Sequence, residues 1–198
     1  MNKLNCNLRK ITMSLMLLAA YAMPTVAQDQ NPNQVFNPEM LKQFKVQTHN
    51  SPSDVTILKV FEAFTPTTPE HVDWCYMTFD NRISSEIRSL AKKKLAALQD
   101  PALLAASRKH LFDRDKVIVK IALHNIVVTN DQAALADLRK LEGINAEPAK
   151  QLYFLVRQTR AKLHDPELLK ELTDPQKQTP DSTLAMYNRE LLKEYGEE

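Results

Sequence analysis

The chain has 198 residues, with 26 Lys and Arg against 24 Asp and Glu, and only two glycines beside eleven prolines. A nearly neutral balance lacks the basic footprint of a nucleic-acid binder. Glycine this scarce, against a usual frequency of about 7%, leaves few turns able to take a positive φ, which argues against tight hairpins and glycine-rich phosphate loops.

Lys3, Arg9 and Lys10 precede an apolar run from Ile11 to Met23, and small residues follow around Ala27. These are the three parts of an export signal. The run is 13 residues long, short of the roughly 20 needed to span a bilayer. The expected cleavage point is after Ala27, with Ala22 as second choice. Removal of residues 1–27 takes away three basic residues and no acidic ones, leaving 23 basic against 24 acidic. Cys6 lies before the apolar run, where it cannot be the acylated cysteine of a lipoprotein signal, so the expected product is unanchored and either periplasmic or secreted. Cys75 is then the one remaining cysteine, which rules out an intramolecular disulfide and leaves stability to packing. Residues 28–50 read as a flexible lead-in, polar and interrupted by Pro32 and Pro38. Residues 51–198 read as a single α-helical domain without a transmembrane segment.

Within that domain apolar residues recur at helical spacing. Ile57, Val60, Phe61 and Phe64 fall at i, i+3, i+4 and i+7, as do Val72, Cys75, Tyr76 and Phe79. The segment Thr65–Pro69 separates the two sets, with Thr68 as a cap and Pro69 in the first turn. Ile87, Leu90, Ala91, Leu95 and Leu98 mark one face of a longer helix that stops at Asp100 and Pro101, because proline disfavours a helical residue before it. A short helix follows from Pro101 to Leu111. Residues 117–128 are apolar nearly all round; their β-branched content suits a strand, but their length and glycine-free surroundings predict a buried helix. A short helix over Gln132–Leu141 and a long one over Glu147–Leu163 come next, the latter with Leu152, Leu155, Val156 and Leu163 inward. Pro166–Leu172 reads as another short helix. After a loop, a last helix capped by Asp181 or Ser182 turns Leu184, Tyr187, Leu191 and Tyr195 inward.

Long and short helices therefore alternate, and the alternation has a period. Ile87, Arg88 and Ala91 correspond to Val119, Lys120 and Leu123 and to Ala149, Lys150 and Tyr153, at spacings of 32 and 30. Aspartate turns at Asp100, Asp131 and Asp165 follow at spacings of 31 and 34, each leading into a short helix at Ala102–Ala105, Ala133–Ala136 and Glu167–Lys170. Over residues 81–172, and most closely from Asp115 to Leu141, this pattern resembles short HEAT-like repeats. It departs from them where Lys120 and Lys150 replace arginine, where Tyr153 replaces a small residue, and where the turn glycine is missing. The resemblance implies an all-α fold of helix-turn-helix hairpins stacked as a short α-solenoid or superhelical bundle, and a protein-binding scaffold.

One cluster has chemical potential. If Glu70 to Cys75 is helical, His71 and Cys75 are one turn apart, and an imidazolium beside a thiol favours the thiolate; the same pair could begin a metal site. Against this, Cys75 belongs to the apolar set with Val72, Tyr76 and Phe79, where a thiol packs as a small hydrophobe. His110, His124 and His164 show no metal-ligand spacing and read as cap or surface residues. Lys92, Lys93 and Lys94 offer a contact for an acidic partner or for anionic lipid headgroups, although in a helix they fan across more than half the circumference, as a solvated face does. No nucleophile motif, zinc motif or phosphate loop occurs. The sequence thus favours a non-catalytic interaction module without cofactor or metal, whose partner is another envelope or extracellular protein. Its rivals are a thiol-dependent enzyme using Cys75 with His71, and a helical bundle that holds a small apolar ligand.

Overall fold

A computed structural model describes residues 36–44, 52–79, 83–145, 151–175 and 182–196. The expected export signal, the first part of the lead-in, the start of the helix expected from Glu147, the repeat positions Ala149 and Lys150, and the candidate cap Asp181 lie outside these residues. All the described residues fall in one compact unit that begins at Val35.

The fold is all-α: among the described residues there are ten α-helices and two short 3₁₀ segments, and no strand. In chain order these are α1 (Pro38–Phe44), α2 (Pro52–Ala63), α3 (Pro69–Met77), α4 (Ser85–Ala96), α5 (Pro101–Lys109), α6 (Lys116–Val128), α7 (Leu135–Ile144), α8 (Gln151–Lys162), α9 (Pro166–Thr173) and α10 (Ser182–Lys193). The 3₁₀ segments are His110–Phe112 and Gln132–Ala134.

Local chemistry sets the boundaries. Thr68 accepts the backbone N–H of His71 at 3.3 Å, with Pro69 in the first turn of α3. Ser84 caps α4, Asp100 caps α5 through two N–H groups, and Asp115 caps α6 through the N–H of Val117 at 2.8 Å. Each such side chain satisfies an orphan donor of the first turn.

Several helices pack on an immediate neighbour, α3 on α4, α5 on α6 and α7 on α8 among them, and packing on the next but one recurs: α2 on α4, α4 on α6, α6 on α8 and α8 on α10, with α3 on α5 in the same manner. The main core is built from one face of each. Ile87 and Ala91 of α4, and Val119 and Leu123 of α6, are buried at the matched positions of the sequence period, with Phe61, Val72, Cys75 and Leu138. A smaller core at the C-terminal end joins Ala161, Leu168, Leu172 and Leu191, flanked by Tyr187 and Tyr195.

Two sequence expectations are corrected. The lead-in expected over residues 28–50 includes core residues: Phe36, Met40 and Leu41 are buried, and the Phe36 ring meets Phe61 edge-on at 4.7 Å. Their spacing, i, i+4 and i+5 on a stretch only seven helical residues long, is too short to stand out as periodicity. Helix α6 is a helix as predicted but is not buried all round. Val119, Ala122, Leu123 and Ile126 point inward at i, i+3, i+4 and i+7, whereas Ile121 is half-buried and Val117 and Val128 are about half exposed. A helix packed on one side by its neighbours has a solvent side whatever its composition.

Candidate functional site

Cys75 sits at the centre of the α3 face, fully buried. Burial pushes its thiol up to about 12, against a modest opposing pull from the Lys94 charge. It is therefore a protonated, packed thiol at neutral pH, and a nucleophile needs the thiolate. His71 turns away from it. Its Nδ1 lies 3.2 Å from both the backbone N and the hydroxyl of Thr67, and its ring packs against Trp74 and Phe64 at 4.7 and 5.1 Å. The turn that sequence spacing suggested as a pair is thus divided between core and loop.

The three lysines are divided as well. Lys92 and Lys93 are exposed, but Lys94 folds back, its Nζ donating to the carbonyl oxygens of Glu62 at 2.9 Å and Phe64 at 2.5 Å beside the Phe61 ring. Partial burial lowers its pKa, with Glu62 opposing. A cation on the last carbonyls of α2 closes that helix end, where the dipole favours positive charge. Lys94 is a positioning element between α2 and α4; it borders one surface concavity together with Lys93, while Lys92 does not.

Among the histidines, His110 packs flat on Tyr76 with ring centres 3.8 Å apart, and its Nε2 meets Asp73 at 2.9 Å. His164 lies edge-on to Tyr195, and His124 is exposed. No group of three or more His, Cys, Asp or Glu among the described residues is arranged to hold a metal ion. No helix there is long and apolar enough to cross a membrane.

Sequence reasoning missed two buried polar assemblies. In the first, Asn125 donates to Ser107 at 2.9 Å and Ser107 meets the Tyr76 hydroxyl at 2.7 Å, tying α6, α5 and α3 together inside the main core. In the second, Arg157 and Arg160 of α8 converge on Glu142 of α7, Asp165 of the α8–α9 turn and Glu171 of α9. Arg157 reaches Glu142 at 2.6 Å, Arg160 grips the same carboxylate from its other side, and Arg160 Nε donates to Asp165 at 2.7 Å. Arg139 closes the set with two bonds to Asp165 at 2.6 and 3.2 Å. Burial by itself would raise the Asp165 carboxyl, but Arg139, Arg160 and the N–H of Glu167 outweigh it and hold the group at about 2. The only sequence signal was charge at positions a helical wheel places inward, Arg157 and Arg160 beside Val156 and Ala161.

The aspartate turns share a geometry. Asn130 and His164 take left-handed φ of 50° and 52°, their N–H groups donate to Val127 and Ala161, and the next N–H groups, of Asp131 and Asp165, reach back to Ile126 and Arg160 at 3.0 Å. This is the Schellman end normally built on glycine. Each aspartate then accepts an arginine of an earlier short helix on both carboxylate oxygens: Arg108 through Nη1 alone to Asp131 at 2.8 and 2.9 Å, and Arg139 through Nε and Nη2 to Asp165. Asp100 follows neither feature; it caps α5.

Surface concavities adjoin α4 among the described residues. One of about 480 Å³ is walled by Pro66, Leu90, Ala97, Leu98 and Leu103 with Lys93 at its edge. One of about 520 Å³ lies between α2 and α4, along Leu58, Glu62, Ser85 and Leu90. The third, of about 330 Å³, lies between α4 and α6, with Phe79, Val117 and Ile121 on one side and Ser85, Arg88, Ser89 and Lys92 on the other. No protein-family model, curated protein or solved structure matches the chain.

Proposed function

We propose that this chain is an exported, non-catalytic protein-binding scaffold whose helix hairpins stack as a short HEAT-like solenoid. The observation that carries the reading is the recurrence of one joint: an arginine bonded to both oxygens of an aspartate behind a left-handed turn, at Arg108–Asp131 and again at Arg139–Asp165. A joint repeated from hairpin to hairpin is what a stack of similar units requires, and next-but-one packing of α2, α4, α6, α8 and α10 agrees with it. Stacking leaves the outer side of the long helices as a continuous binding surface, and Val117 and Val128 of α6 are exposed there. The buried thiol of Cys75 gives the rival thiol chemistry no nucleophile at neutral pH.

Site-directed photo-crosslinking in the cells that make the protein tests the scaffold. A crosslinker placed at Val128 should trap a discrete protein partner, whereas one at Lys170, on the short-helix side, should not; equal, diffuse labelling from both would overturn the reading. N-terminal sequencing of the exported material tests processing, with Gln28 as the expected first residue and an intact N-terminal stretch as the refuting result. A second reading, a small apolar ligand, is favoured by the apolar walls of the 480 Å³ concavity, a size within the range of ligand sites. Native mass spectrometry of protein from its own host distinguishes it through a retained mass that Leu98→Arg abolishes.

A further inference from the structure

The groove between α4 and α6 divides its two walls by chemistry. Ser85, Arg88, Ser89 and Lys92 fall at i, i+3, i+4 and i+7, so α4 contributes one stripe of hydroxyls and cations. Across from it, Val117 and Ile121 are one turn apart on α6, and Phe79 also lines the groove. Neither Arg88 nor Lys92 meets a carboxylate among the described residues, in a protein whose other arginines at helix junctions, Arg108, Arg139, Arg157 and Arg160, are each paired with acids. Val117 leaves about half of its surface to solvent.

We infer that this groove docks an acidic, amphipathic helical segment of a partner protein, with carboxylates on Arg88 and Lys92 and apolar side chains against Val117, Ile121 and Phe79. The inference rests on the scaffold reading and names its site. Charge complementarity selects the occupant: a purely apolar segment would leave the cations unused, and a purely acidic one would leave Val117 and Ile121 wet. A helix laid in a groove presents anchors at i, i+3, i+4 and i+7, which is the spacing of the α4 stripe. The hydroxyls of Ser89, between the two cations, and of Ser85, one turn before Arg88 and Ser89, supply donors to the same carboxylates.

The test uses the full chain and a fluorescent leucine–glutamate peptide of about fifteen residues, long enough to be partly helical, with glutamine-for-glutamate and serine-for-leucine versions as controls. Anisotropy titration at low salt should show saturable binding of the first peptide only. Binding should weaken at least about tenfold in Arg88→Glu combined with Lys92→Glu, and independently in Ile121→Asp, with helical content and melting checked for each. Arg114→Glu, another exposed basic position outside the groove, should bind like the parent. Equal binding of the serine peptide would reduce the site to nonspecific charge and overturn the inference, as would equal binding by the charge-reversed variant. Stronger binding to vesicles of anionic phospholipid than to the peptide, lost in the same variants, would overturn it in favour of a membrane surface. Repeating the Val128 crosslinking with the charge-reversed variant separates the two levels. A partner trapped equally well leaves the scaffold standing and removes this groove; no partner from either protein removes the scaffold itself.

Discussion

Replacing Arg160 by Met removes the one cation that touches all three acids of the network, the buried Glu142 and Asp165 and the partly exposed Glu171. Methionine preserves much of the stem's packing, so the loss isolates charge. Arg160 is 3% exposed and Asp165 fully buried, so solvent screens neither. Breaking a buried pair by deleting one partner typically costs about 3–5 kcal/mol. Arg139 still holds Asp165 and Arg157 still holds Glu142, which places the expected loss at the lower end, about 3 kcal/mol, or roughly 10 °C in melting temperature for a domain of this size. The loss depends on pH with a definite sign. Asp165 is held at about 2, below its ordinary value of 3.8. Its stabilising contribution, on the order of 2 kcal/mol at most, is present above the ordinary carboxylate value and disappears as pH falls towards 2. Without Arg160 the folded-state value rises, so the gap between parent and variant should be widest near neutral pH and should narrow in acid. Urea denaturation followed by circular dichroism at neutral pH and at about pH 3 measures both gaps. A variant within about 0.5 kcal/mol of the parent at neutral pH, or a gap that widens on acidification, refutes the assignment of this network as a buried joint.

Ile126→Ala should cost about 2–5 kcal/mol because Ile126 is almost wholly buried; half-buried Ile121→Ala should cost about 1 kcal/mol, and thermal melts that rank them the other way would reverse the two faces of α6. Lys94→Met should lower stability by about 1 kcal/mol through loss of the two carbonyl bonds at the end of α2, while Lys93→Glu should stay within about 0.5 kcal/mol; equal effects would mean the lysines do share one face. Native Cys75 should react with iodoacetamide at neutral pH only as fast as the protein unfolds, because the thiol is buried and held at about 12. Rapid modification with unchanged circular dichroism would contradict that placement.

Helix identity was legible because it is written locally. Apolar periods such as Val72, Cys75, Tyr76 and Phe79, caps such as Thr68 and Asp100, and the proline at position 101 act within a turn or two of chain, and all the expected helices with described residues are helices. The aspartate turns were legible as recurring positions, yet their shared geometry was not. Asn130 and His164 stand where glycine would have announced a left-handed residue, and only backbone coordinates show that they adopt it. Cys75 was placed on the apolar set by its spacing, but the separation from His71 came from Thr67, whose backbone and hydroxyl claim the imidazole.

What the sequence alone determined is therefore the helices from Pro52 onward, most of their periodic core positions and the absence of familiar catalytic motifs, since each depends on residues close together in the chain; α1 escaped it. Tertiary structure decided which apolar face of α6 is inside, because composition cannot reveal which neighbours a helix lacks. It also decided that Lys94 closes a helix end while Lys92 faces solvent, and that Arg157, Arg160 and Arg139 share three acids from other elements. Arg139 and Asp165 are 26 residues apart and Lys94 and Phe64 are 30 apart. Pairings over such distances follow from how helices cross, and the free energy that selects them is shared among many contacts that no local pattern encodes.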